Sequence, residues 1–249
     1  MENFKISLSV VIPAHNEQNN IVFAVEQTIA EFKSFKTAEL IIINDGSTDD
    51  TQKELVNLAK KHKNLVILEH NENEGLAKSL KDGFSKVSND YIVFNSADLP
   101  LNPGDISKLF EKKYPFDLLV LERKMYTGAS LWRKFVSSCN RIILHIFFPL
   151  ALIDIADCNF TFIIKKEVLK KVFPKSISPG FIETEIILRT RYLNFNIQTA
   201  ECDYNKRKNG QAHFGKLGDI LLTIFDILKF RIYSFFIIFR GKNENSIRN

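Results

Sequence analysis

Ser9-Val10-Val11-Ile12-Pro13-Ala14-His15-Asn16-Glu17, and later Leu40-Ile41-Ile42-Ile43-Asn44-Asp45-Gly46-Ser47-Thr48-Asp49-Asp50, decide how this chain reads. Each segment is an unbroken apolar run that stops at polar, turn-forming residues. Runs of this kind are strands buried on both faces, as in a parallel sheet. The first strand spans 7–12 and the second 39–43. Between them, over 19–32, Ile21, Val22, Ala24, Val25, Ile29 and Phe32 recur at helical spacing.

Outward from this pair the rhythm continues. Residues 65–68 read as a third strand, 71–75 as a polar loop, 76–87 as a helix and 91–94 as a fourth strand; 116–121 adds another. Ser47 or Thr48 is placed to cap a helix with Asp49 and Asp50 in its first turn, where the helix dipole favours acids. The alternation predicts an α/β fold: a doubly wound, mostly parallel sheet with helices on both faces and ligands beyond the carboxyl ends of the strands. No internal repeat, low-complexity tract or linker breaks the chain. It therefore divides into one domain, 1–215, and a C-terminal amphipathic helical tail, 216–249.

Composition narrows the function classes. With 249 residues, 45% hydrophobic and 25% charged, the chain can bury a large core under a soluble surface. Cys139, Cys158 and Cys202 are odd in number and form no CxxC pair, so neither a disulfide framework nor a zinc site is indicated and a reducing cytosol fits. Residues 1–5 lead into a strand without the cationic stretch and apolar core of a signal peptide. The net charge of +5 suits anionic partners, although alone it decides nothing. Its basic residues are dispersed and carry no nucleic-acid-binding motif, which argues against nucleic acid.

Polar residues gather where strands end: Pro13 to Glu17 after the first, Asn44 to Asp50 after the second, and Asn95-Ser96-Ala97-Asp98-Leu99-Pro100 after the fourth. In a parallel sheet these loops share one edge and can line one pocket. Taken in order, they resemble the opening of the inverting GT-A glycosyltransferases, in the branch of dolichyl-phosphate mannose synthases and bactoprenol glucosyltransferases. Asn73, Gly75, Ala77 and Gly83 supply that family's third element, though not at identical spacing. The match is strong over about the first 105 residues.

The resemblance implies roles. Pro13, Ala14 and Glu17 border the nucleotide, Asp45 accepts hydrogen bonds from the base, and Gly46 lets backbone approach the ligand. Ala97 and Asp98 belong to the motif that holds Mg2+ or Mn2+ on the donor diphosphate. In that motif Ser96 replaces the first acid, so the metal site has one charge fewer and Asp98 is its remaining carboxylate ligand. Lys78 and Lys81 are within the reach of phosphates or are merely solvated. Glu183 and Glu185 match a two-acid segment, in which Glu185 is assigned a catalytic place. Arg207, in Arg207-Lys208-Asn209-Gly210, matches a basic loop that closes on the diphosphate. Arg123 and Arg133 fall where relatives hold an acceptor phosphate.

The tail from 220 to 239 is helical in pattern and predominantly apolar, with Thr223, Asp226, Lys229 and Ser234 on one side. Asp226, Lys229 and Arg231 would each cost about 2.5–3.5 kcal/mol at the centre of a membrane-spanning helix. The segment therefore suits a membrane surface, a packed helix or a dimer contact. A shorter apolar run, 142–153, stands beside it.

Together these features predict an inverting hexosyltransferase, peripheral on the cytoplasmic face of a membrane. It moves sugar from a UDP- or GDP-sugar to a dolichyl or undecaprenyl phosphate. Residues 1–105 would serve the nucleotide sugar and 106–215 the acceptor. The rivals are transfer to a saccharide hydroxyl, with Glu183 or Glu185 as base, and a non-catalytic sugar-nucleotide-binding homologue.

Overall fold

The computed structural model describes residues 4–111, 115–124, 131–205 and 217–246. Their strands are β1 (Phe4–Ala14), β2 (Phe35–Asp45), β3 (Leu65–His70), β4 (Tyr91–Phe94), β5 (Leu118–Arg123), β6 (Thr161–Lys165) and β7 (Ile197–Cys202). Their helices are α1 (Ile21–Ala30), α2 (Thr51–Lys61), α3 (Leu76–Lys86), α4 (Pro103–Glu111), α5 (Leu131–Phe147), α6 (Lys166–Val172), α7 (Ile182–Tyr192) and α8 (Leu217–Ser246). One seven-stranded sheet results, in the order β3-β2-β1-β4-β6-β5-β7. Every pairing is parallel except those of β6, which runs antiparallel to β4 and β5.

The unbroken apolar runs follow from this placement. Val11, Ile41 and Ile43 face one core, beneath α3, α5, α7 and α8, whereas Val10, Ile12, Leu40 and Ile42 face another, beneath α1, α2 and α4. Successive residues of one strand point to opposite faces, so a strand covered on both sides has no polar alternation. Gly83 shows how tightly α3 lies on the sheet: a Cβ there would come within 2.5 Å of a Val11 methyl.

Some local expectations change. Ser47 and Thr48 do not cap α2; its N-cap is Asp50, and Asp49 Oδ1 accepts from the Thr51 N–H and hydroxyl at 3.0 and 2.5 Å. Asp49 and Asp50 therefore precede the first turn. The fifth strand begins at Leu118, since Phe116 turns its ring onto Tyr91 and Phe110.

The fold places the site. Six parallel strands direct their carboxyl ends to one edge. Because β6 is reversed, its amino end, preceded by Asp157-Cys158-Asn159, arrives at that same edge. The strand order reverses direction at β1 and β4, where crevices of such sheets open.

Candidate functional site

The loops after β1 and β2 are built by the polar residues of their own motifs. The Asn16 N–H donates to Ser47 Oγ at 3.0 Å, and the Thr48 N–H donates to Asn16 Oδ1 at 2.8 Å. The Glu17 N–H donates to Thr51 Oγ1 at 2.8 Å. Asn16 takes φ +55°, a left-handed conformation that asparagine tolerates. Pro13 is half-buried, whereas Ala14 and Glu17 are buried, with Glu17 Oε2 accepting from Asn20 Nδ2 at 2.6 Å.

Asp45 is buried at the end of β2. Its carboxylate accepts the Glu74 and Gly75 N–H groups, each at 2.9 Å, and lies 2.7 Å from His70 Nδ1. His70 Nε2 is 3.0 Å from Asp82, which also pairs with Lys78. Burial alone would raise the Asp82 carboxyl, but the Lys78 and His70 contacts outweigh it and hold it below the ordinary range. Sequence reading missed this cluster, because nothing local couples β3 to the middle of α3. Gly46, at φ +62°, admits backbone as expected, but that backbone is the chain's own. A Cβ there would meet Glu72 C at 2.3 Å and Asn73 N at 2.5 Å. Lys81 is likewise internal, donating to the Ser176 carbonyl at 3.0 Å.

After β4, Asn95 staples a tight loop, donating to the Leu101 carbonyl at 2.7 Å. Within it Ala97 is buried, Ser96 and Asp98 are half-buried, and Leu99 is held at φ +48°. A left-handed leucine is strained, and here it directly follows Asp98. Asn205, beyond β7, donates to the Pro100 carbonyl at 3.0 Å, so the exit of β7 is tied to this loop. Arg207 lies outside the described residues, as does the side chain of Arg133 on α5.

Among the described residues no three His, Cys, Asp or Glu side chains cluster as a metal site. One carboxylate and a hydroxyl fit a cation carried in by a diphosphate, since Mg2+ commonly binds through one or two carboxylates plus substrate phosphates and water.

Across the sheet, a cavity of about 520 Å3 opens at the end of β5, walled by Arg123, Ser137, Arg141, Asp157 and Asn159 among others. Arg123 grips Asp157 with two hydrogen bonds, 2.6 and 2.9 Å, and lies over the Phe160 ring. The Asn159 side chain donates to Gly180 O and Thr184 Oγ1 to Cys158 O, which draws the start of α7 toward Asp157.

The two α7 acids now separate. Glu185, assigned a catalytic place from sequence, is structural: it accepts the Lys175 and Ser176 N–H groups and pairs with Arg189 at 2.6 Å. Those contacts occupy both its oxygens inside the core. Glu183 is buried with Oε2 lacking a hydrogen-bond partner among the described residues. Burial pushes its carboxyl up to about 7, with Arg123 opposing and Asp157 adding to the shift.

Residues 9–173 match the family described as Glycosyl transferase family 2. This chain belongs to that family. A 132-residue stretch of this family 2 chain is 33% identical to an undecaprenyl-phosphate 4-deoxy-4-formamido-L-arabinose transferase of Photorhabdus laumondii, covering 52% of this chain and 41% of that protein. The corresponding Salmonella dublin protein is 31% identical over 140 residues, covering 55% and 42%. The chain thus spans less than half the length of these relatives. The sugar they name is a modified pentose where the sequence reading expected a hexose. A glucosyl-3-phosphoglycerate synthase of Mycobacterium tuberculosis, solved with Mn2+, UDP and glucosyl-3-phosphoglycerate, shares the fold at TM-score 0.66 and 19% identity, over 91% of this chain and 80% of that one. Another structure of that synthase, with Mg2+ and UDP, gives 0.61 at 17% identity, over 91% and 79%.

The outer helices carry the remaining feature. On α8 the polar Thr223, Asp226 and Ser234 are the buried residues, at 6, 5 and 0% exposure, beside Ile227 and Phe230. Asp226 accepts the Ile177 and Ser178 N–H groups, at 2.9 and 2.8 Å, and the Phe230 ring meets Phe148, Phe181 and Tyr192. Lys229, expected on that side, is exposed. Outward stand Leu221, Phe225, Ile232 and Phe236, between 55 and 67% exposed, and Ile146, Leu150 and Ile153 are exposed as well. The helix therefore packs on the core through Ile227 and Phe230 together with the buried Thr223, Asp226 and Ser234, and leaves a row of apolar side chains outward. No described helix is long and apolar enough to cross a membrane.

Proposed function

We propose that this chain transfers a sugar from a UDP- or GDP-sugar to a polyprenyl phosphate, undecaprenyl or dolichyl, while lying on the cytoplasmic face of a membrane. The outward apolar residues of α8 carry the reading: a family 2 cleft beside an exposed apolar helix face suits an acceptor presented by a bilayer. Residues 1–105 serve the donor, 106–215 the acceptor and 216–249 the membrane surface. Pro13, Ala14, Glu17, Asp45, Gly46 and Ala97 border the nucleotide. Asp98 would hold the divalent cation, which, when bound, supplies charge neutralisation at the diphosphate. Arg207, outside the described residues, would bind the diphosphate; Asn205, two residues earlier in the sequence, donates to the Pro100 carbonyl beside Asp98. Arg123 and Arg133, with the cavity at β5, receive the acceptor phosphate.

The chemistry needs no strong base. A phosphate oxygen of the acceptor, already ionised at neutral pH, bonds to the anomeric carbon as the bond to the donor diphosphate breaks. The nucleoside diphosphate leaves with the electron pair, and the configuration inverts. The protein aligns two anions and offsets their charge.

Glu183 favours a second reading, in which a saccharide hydroxyl is the acceptor. A buried carboxyl raised to about 7 can accept a proton near neutral pH. Glu183→Gln separates the two. Transfer to polyprenyl phosphate is expected to persist within about tenfold, whereas a base-dependent reaction would fall by about 10²–10⁴-fold. A panel of UDP- and GDP-pentoses and hexoses, assayed with both acceptor classes, identifies the sugar. Glycosylation of a water-soluble saccharide alone would overturn the proposal.

A further inference from the structure

A second cavity, of about 240 Å3, lies between α7, the 175–178 segment and the middle of α8. It shares no lining residue with the cavity at β5. Glu185 in its wall is two residues from Glu183, about 200° around the helix, so it opens on the side of α7 away from Arg123 and Asp157.

Its charges are uneven. The carboxylates of Glu185 and Asp226 are each occupied by two backbone N–H groups, and Glu185 by Arg189 as well. The cations Lys175 and Lys229 have no carboxylate within ion-pair distance among the described residues; their ammonium groups lie 5.7 Å from the Tyr233 ring and 5.9 Å from the Phe225 ring. Arg189, buried, lies over Tyr233 and Phe230 at 5.0 and 5.4 Å. The cavity thus has an aromatic lining with two cations, Lys175 and Lys229, that no carboxylate among the described residues pairs with, while Arg189 is held by Glu185; it lies beside the outward apolar residues Ile177, Phe225 and Leu228. Cations over aromatic surface recognise an anion attached to an apolar body.

We propose that this cavity binds an anionic glycerophospholipid of the membrane, with its phosphate between Lys175 and Lys229 and its first acyl carbons against Tyr233 and Phe230. The site anchors the enzyme and is separate from the site of the lipid that accepts sugar. It rests on the membrane-surface reading given above.

The test uses the full chain and the K175Q/K229Q variant, with K60Q/K61Q on α2 as a control for general surface charge. Vesicles of phosphatidylcholine alone, and of phosphatidylcholine with equimolar phosphatidylglycerol, measure membrane binding. A short-chain phosphatidylglycerol below its micelle concentration, against inorganic phosphate, measures the pocket by calorimetry. Wild type is expected to prefer the anionic vesicles and to bind the short-chain lipid saturably, one per chain. K175Q/K229Q is expected to weaken anionic-vesicle binding about 25-fold, at about fivefold per cation near an anionic surface. It should abolish short-chain lipid binding and leave phosphatidylcholine and UDP binding unchanged. K60Q/K61Q should change none of these. Undiminished preference in K175Q/K229Q, an equal loss in K60Q/K61Q, or inorganic phosphate binding as well as the lipid would each overturn the pocket assignment while leaving the membrane reading standing. A wild-type chain that binds neither vesicle would instead remove the membrane reading itself.

Discussion

Helices α1, α2 and α4 on one side of the sheet and α8 on the other differ in what they turn inward. Beneath α1, α2 and α4 the inward residues are chiefly apolar, Ile21, Leu55 and Ile106 among them, and Lys53, Lys60, Lys61 and Lys108 face solvent, although Val22, Phe23 and Val56 are exposed there too. On the other side α8 turns Thr223, Asp226 and Ser234 inward and Leu221, Phe225 and Phe236 outward. The inward polar groups carry little penalty, since Asp226 is bonded to two backbone N–H groups and the Thr223 hydroxyl donates to the Asp219 carbonyl. The outward apolar groups do carry one in water, which a bilayer surface removes. Under the proposed function, one sheet meets a water-soluble nucleotide at its edge and a membrane along one face.

Removing the charge at the donor edge is expected to have the largest effect. Asp98→Asn should lower transfer about 10³-fold, the scale of losing one key electrostatic partner, with the thermal midpoint unchanged. Near-normal turnover would move the donor site away from the loop after β4.

Next come the two acids of α7, which face different surroundings within one turn. Glu185→Gln leaves Arg189 buried without its charged partner and should destabilise the fold by about 3 kcal/mol. Glu183→Gln should behave differently. Its carboxyl, raised from 4.5 to about 7 in the fold, keeps a proton there that the unfolded chain releases. That group's share of stability is complete below pH 4.5 and is lost as pH rises through 7, a change of about 3 kcal/mol. Denaturant melts at pH 5 and pH 8 should show this loss in wild type and not in Glu183→Gln; equal losses in both would place the titration elsewhere.

On the membrane face, Leu221→Ser with Phe225→Ser should cut transfer to long-chain polyprenyl phosphate in vesicles by about 30-fold, from roughly 2 kcal/mol of lost apolar contact. Transfer to a short, soluble analogue should hold. Point changes serve better here than deletion of 216–249, because Ile227, Phe230 and Asp226 tie α8 into the core. Equal loss on both acceptors would make the outward face structural.

The smallest effect is at Ser96. Restoring an acid with Ser96→Asp should lower the Mn2+ needed for half-maximal activity by about fivefold, one added charge at a solvated cation site. No reduction would remove the weak-ligand account.

Most of the sheet was legible because strands covered on both faces leave continuous apolar runs, and the loops at their ends carry recognisable polar motifs. Other features depend on contacts between distant segments. Nothing near Thr161 shows that β6 inserts antiparallel between β4 and β5. The Asp45–His70–Asp82 cluster joins three elements, and the separation of Glu183 from Glu185 requires knowing what each side of α7 meets. Periodicity also found the polar stripe of α8 but not its direction, since the same spacing suits a stripe facing water or one bonded to a neighbouring loop.

The central claim is that the sugar goes to a lipid-borne phosphate. The direct measurement incubates the full chain with radiolabelled UDP- and GDP-sugars and vesicles containing undecaprenyl phosphate, then partitions the products between water and organic solvent. Label is expected in the organic phase as a glycosyl polyprenyl phosphodiester, dependent on Asp98 and absent without the acceptor. Label that stays wholly in water, on a soluble glycan or as free sugar, would contradict it.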